Sequence, residues 1–174
     1  MSRDSQRSAL YAWEHRVFQA FPALNRRLSL AECRDYLGRV WHDYRPGTEP
    51  PTLTDGRGRR SACGSRWRIA LPVWARKPGV LLHETAHALL DGHPEPHGPE
   101  FARLFLEMMV HYEGAAAAEI RTLAVHQRPR RVRFAVAADC PKRVRVSPER
   151  RRWEARLVEL KEALAAHRRA EPPK

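Results

Sequence analysis

The chain has 174 residues, 43% hydrophobic and 8% aromatic, with a formal net charge of +12, which suits a globular domain with its own core and excludes a disordered or fibrous chain. Three widely spaced cysteines, Cys33, Cys63 and Cys140, form no C-x-x-C pair, which argues against a disulfide framework or a cysteine-rich zinc ribbon and fits a reducing cytoplasm. The start, Met1-Ser2-Arg3-Asp4, leads into no apolar segment and no stretch reaches membrane-spanning length, so neither secretion nor insertion is expected.

From Ser5 to Phe21 the residues Leu10, Trp13, Val17 and Phe21 recur at helical spacing, with Asp4 placed to cap the start and Pro22 following the end. Ser29-Leu30-Ala31-Glu32 is a capping box, and Leu30, Cys33, Leu37, Val40, Trp41 and Tyr44 make the apolar stripe of a second helix, stopped by Arg45-Pro46-Gly47. Thr48 to Gly64 is rich in turns. Thr52-Leu53-Thr54 and Arg60-Ser61-Ala62-Cys63 are strand-compatible around the Asp55-Gly56 turn, and Trp67 to Pro72 alternates as a strand does. The expectation is a small sheet of about three strands packed against helices, an α+β fold.

The centre of the chain is Val80 to Leu90, which contains His83-Glu84-Thr85-Ala86-His87. On a helix, residues four apart share a face, so two imidazoles can meet one metal ion with Glu84 beside it. A catalytic zinc site needs a third protein ligand and a neighbouring base for water. Two histidines downstream are candidates. His93 stands at the H-E-x-x-H-x-x-G-x-x-H offset, but Leu90 occupies the position where that pattern needs glycine. His97 opens His97-Gly98-Pro99-Glu100-Phe101, where Pro99 suits the first turn of a helix carrying Phe101, Leu104, Phe105, Met108, Met109 and Tyr112. Ala115 to His126 reads as a further helix, Val132 to Val136 as a short strand, and Ser147-Pro148-Glu149 as the start of a final helix with Trp153, Leu157, Leu160 and Leu164 on one stripe. Asp91 and Glu100 are within reach as carboxylates to orient a ligand, and His111 and Tyr112 as groups to polarise a carbonyl. The remaining histidines, including His15 and His42, read as surface or packing residues.

The pattern Leu82-His83-Glu84-Thr85-Ala86-His87, a short loop, then His97-Gly98-x-x-Phe101 resembles the SprT-like (Spartan-type) zincins, in particular small actinobacterial and phage metallohydrolases. The segment Arg3 to Arg7 is similar to the start of those proteins. The resemblance covers about Ile69 to Tyr112. It implies His83, His87 and His97 as zinc ligands, Glu84 as catalytic base, a zincin-like core, and a protein or peptide substrate cleaved by zinc-activated water. It also implies that the strand Trp67 to Leu71 is a candidate edge for pairing with an extended peptide, a reading that stands beside that of a plain core strand. The extra His93 departs from the family pattern.

Domain organisation follows: residues 1–127 as a metallohydrolase domain and 128–174 as a basic extension. The positive charge concentrates in Arg57 to Arg76 and Arg128 to Arg156. Such a surface attracts phosphate backbones, so nonspecific DNA binding stands beside the reading of a solvated face in an arginine-rich chain. The alternative to an enzyme is a basic DNA-binding protein with a structural zinc site, a reading that a fourth ligand at His93 favours.

Overall fold

In the computed structural model, which describes residues 4–125, 132–136, 141–144, 156 and 159, the first apolar stripe becomes helix α1, Arg7–Ala20. It buries Ala9, Leu10, Trp13 and Val17. Asp4 does not cap it; Gln6 occupies the N-cap without a side-chain bond, because the Asp4 carboxylate is engaged by His97. A 3₁₀ turn, Pro22–Asn25, leads to α2, Leu30–Tyr44, whose capping box is formed in both directions: Glu32 N–H donates to Ser29 Oγ at 3.1 Å and Ser29 N–H to Glu32 Oε2 at 2.7 Å.

Three strands follow: β1, Thr52–Thr54; β2, Cys63–Gly64; and β3, Arg68–Ala70. Their spatial order is β1-β3-β2, with Leu53 opposite Ile69 in the parallel pair and Gly64 opposite Ile69 in the antiparallel pair. The expected hairpin across Asp55-Gly56 therefore does not form. The run Ile69-Ala70-Leu71 is fully buried and takes the centre, while Arg57 N–H folds back on Asp55 Oδ1 in a local turn. It follows that β3 is paired on both sides and is no edge; among the described residues β1 and β2 are the edges, and β2 lies against the helix that carries the H-E-x-x-H motif.

That helix, α3, spans Pro78–Leu89 and is buried almost throughout, which its apolar character on all sides requires. It packs against α2, against the sheet and against α4, Pro99–Glu113. Gly114 ends α4 in the left-handed conformation, φ 65°. Helix α5, Ala117–Val125, is tied to α1 by Trp13 Nε1–H donating to the Ile120 carbonyl at 2.9 Å and by Arg16 on the Leu123 carbonyl. Phe101 and Phe105 are fully buried, each contributing about 1.5–3 kcal/mol by transfer from water. The fold is thus α+β, five helices and one small sheet among the described residues.

Residues 132–136 form no strand. Instead, Ala135 N–H donates to the Pro99 carbonyl and Arg133 N–H to Gln6 Oε1, so this segment crosses the starts of α1 and α4. The chain divides into two compact units, Met1–Arg143 and Val144–Lys174. The expected final helix lies outside the described residues except at Arg156 and Glu159, which are helical. Among the described residues no helix is long and apolar enough to cross a membrane.

Candidate metal centre

Helical periodicity puts His83 and His87 one turn apart on the same face of α3. The loop after α3 returns His97 to that face, with Gly98 as N-cap and Pro99 in the first turn of α4. The three Nε2 atoms converge: His87 Nε2 lies 3.1 Å from that of His83 and 3.2 Å from that of His97. One proton can bridge only two of three such nitrogens. Three lone pairs aimed at one point suit a cation, and a tetrahedral ion with bonds of about 2.0–2.1 Å holds its nitrogens roughly 3.3 Å apart. Among the described residues these three histidines form the group able to hold a metal ion.

Phe101, the aromatic of H-G-x-x-F, is the floor of this arrangement. Its ring centroid lies 4.5 Å from that of His87, 4.9 Å from His83 and 5.2 Å from His97. The outward ring nitrogens meet carboxylates from the first helix and the residues before it. His97 Nδ1 is 2.6 Å from Asp4 Oδ2, and His83 Nδ1 is 3.3 Å from Glu14 Oε1, an ion-pair contact off hydrogen-bond alignment. A carboxylate at Nδ1 fixes the proton there and leaves Nε2 free to bind metal. Asp91 and Glu100 do not serve this role: Asp91 is exposed, and Glu100 lies 3.9 Å from His93 Nε2. His93 itself turns toward Glu100 and the Glu95 backbone, away from the three converging nitrogens.

Electrostatics separate the groups. Burial, with the neighbouring His83 and His97, pushes His87 down to about 2, so it stays neutral. Burial likewise lowers His97 in spite of Asp4. Burial also opposes charge on His83, but the Glu14 and Glu84 carboxylates outweigh it and hold this imidazole above its ordinary value. Glu84 is pushed up to about 7, chiefly by burial, against the pull of His83 and of a hydrogen bond from the Gly64 backbone.

Gly64 of β2 belongs to the site for a steric reason. A Cβ there would lie 2.2 Å from the Glu84 carbonyl oxygen, so only glycine lets the edge strand approach α3 this closely. Beside the edge runs a groove of about 580 Å³ lined by Tyr11, Glu14, Phe18, Trp74, Val80 and Glu84, among others. His15 stands on its wall. His111 and Tyr112 are elsewhere: Tyr112 donates to Asp43 Oδ2 at 2.7 Å, and His111 faces Arg143.

Sequence reasoning missed Asp4, Tyr11, Glu14 and Gly64 as site residues. Positions 4, 7, 11 and 14 recur at helical spacing along the flank of the Leu10, Trp13, Val17 stripe, but that spacing does not say which element the flank meets. The chain matches no protein-family model, and no curated protein or solved structure is found to be similar to it.

Proposed function

We propose that the chain is a zinc-dependent hydrolase of the SprT-like zincin type that cleaves peptide bonds in protein substrates. The observation that carries this reading is the convergence of three imidazole Nε2 atoms beside a groove into which Glu84 also projects. The donor set fits zinc: three nitrogens, carboxylates behind two of them, and no fourth His, Cys, Asp or Glu joining the group among the described residues. A structural zinc site is closed by four protein ligands and has no use for a neighbouring carboxylate, so three histidines with Glu84 beside them favour catalysis over the alternative of a structural zinc in a DNA-binding protein. Zinc held there supplies a Lewis acid that acidifies water and polarises a carbonyl.

Glu84 supplies the proton chemistry. With its carboxyl near pH 7 by burial, it is poised to accept a proton from water as the water oxygen bonds to the carbonyl carbon. When the C–N bond breaks, Glu84 passes that proton to the leaving amine. The groove's apolar wall, Phe18, Trp74 and Val80, offers a place for a substrate side chain. The test is Glu84→Gln: it keeps the zinc and the fold while losing cleavage of a disordered substrate such as casein by orders of magnitude. Equal cleavage by the variant would sink the assignment of the base.

A further inference from the structure

Tyr11 stands at the mouth of the site without a part in the chemistry so far. Its ring, 41% exposed, lines the groove with His83 and Glu84 and stacks on the His83 imidazole at 5.8 Å and 12°. Its hydroxyl oxygen is 3.4 Å from His97 Nε2, one of the three converging nitrogens. We propose that the Tyr11 phenol is a catalytic residue that donates a hydrogen bond to the oxyanion formed when water adds to the scissile carbonyl. The proposal rests on the hydrolase reading above.

The hydrogen-bond inventory carries the argument. A phenol can give one proton and accept others. Arg7, one turn earlier on α1, holds its guanidinium 5.6 Å from the Tyr11 ring centroid, and a guanidinium only donates, so it cannot take the phenol's proton. The acceptor now nearest is His97 Nε2, whose lone pair is committed once a metal is held. Tyr11 and Glu84 line the same groove, so a substrate carbonyl that Glu84 serves there meets both side chains. As the water oxygen bonds to carbon, the carbonyl π pair moves onto oxygen and the water proton moves to Glu84. Tyr11 keeps its proton throughout and stabilises only the new negative charge, a contribution made in the transition state and not in the ground state. The other tyrosine near the motif in sequence, Tyr112, has its proton bound by Asp43.

The test compares zinc-loaded wild type, Tyr11→Phe and Glu84→Gln as full chains. Phenylalanine keeps the ring on His83 and removes only the hydroxyl. Zinc content should be unchanged, casein hydrolysis should fall on the order of 100-fold in kcat with little change in KM, and calorimetric affinity for a phosphinic tripeptide, a tetrahedral oxyanion mimic, should weaken about 10-fold or more. Unchanged kcat and unchanged phosphinate affinity in zinc-replete Tyr11→Phe would overturn the proposal while leaving the hydrolase reading intact. Loss of zinc from Tyr11→Phe would also overturn it, making the hydroxyl a support for His97. Should wild type hydrolyse nothing, the hydrolase reading fails, and the phosphinate titration still decides: weaker binding by Tyr11→Phe supports donation to an oxyanion held there, equal binding refutes it.

Discussion

His97 joins His83 and His87 because Gly98 and Pro99 end the loop and begin α4 within one step of it, so its imidazole is fixed by a helix start and by the Phe101 floor. His93 has no such anchor and faces Glu100. Purified protein should carry close to one zinc per chain, and His97→Ala should lose it while His93→Ala retains it, as read by metal analysis of both variants. Equal loss would remove the assigned third ligand. A second residue-scale prediction concerns Cys33, fully buried on α2, whose thiol burial pushes up to about 11 against the nearby Arg76. In the native protein Cys33 should resist iodoacetamide at pH 8.5 while the half-buried Cys63 reacts, as peptide mapping resolves. The sign of the pH effect follows. The fold holds the thiol protonated, so this contribution to stability is whole below about pH 9 and is lost as pH rises toward about 11 and the unfolded chain ionises first. His83, Glu84 and His87 were legible in the sequence because one helix carries them at fixed spacing. Asp4, Tyr11 and Glu14 were not, since nothing local says which face of α1 meets α3.

Elements explain where the reading of strands failed. The Asp-Gly turn signals a hairpin, but pairing is decided by burial, and the most apolar strand, β3, takes the centre with β1 and β2 on either side. The helices fared better: the capping box and the Pro99 start lie where local chemistry puts them. Val132 to Val136 has strand composition and no strand partner, its backbone bonds going to Pro99 and Gln6 instead. At this scale the decisive contact is β2 on α3. Gly64→Ala must push the edge strand off the helix at Glu84, and the clash is with backbone that cannot swing away. A loss of about 1–3 kcal/mol in urea denaturation is expected, together with weaker hydrolysis, since the Gly64 N–H reaches Glu84. Wild-type stability in that variant would show that the strand has room to move.

For the molecule as a whole, the charge of +12 and its placement set the expectation for partners. Of the basic residues clustered between 130 and 152, Arg133, Lys142 and Arg143 are described and exposed, with Arg133 close to Glu95 and Arg143 against His111; Arg130, Arg131, Arg145, Arg150, Arg151 and Arg152 lie outside the described residues. If this cluster meets DNA, fluorescence anisotropy should show binding with little sequence preference, an affinity that falls steeply with salt, and a flatter slope, by about 0.9 per lost phosphate contact, when Arg130, Arg131 and Arg145 are changed to glutamine. A slope that ignores these changes would make the cluster a solvated face. The contact between Asp4 and His97 has a different bearing. His83, His87 and His97 are 4 and 10 positions apart along the chain, whereas Asp4 and His97 are 93 apart. The group able to hold an ion is therefore local to α3 and the start of α4, while the Asp4 contact that orients it and the Tyr11 hydroxyl beside it wait on the joining of residues more than eighty positions apart. Full metal occupancy and a finished site are separate milestones, and a preparation can reach the first without the second.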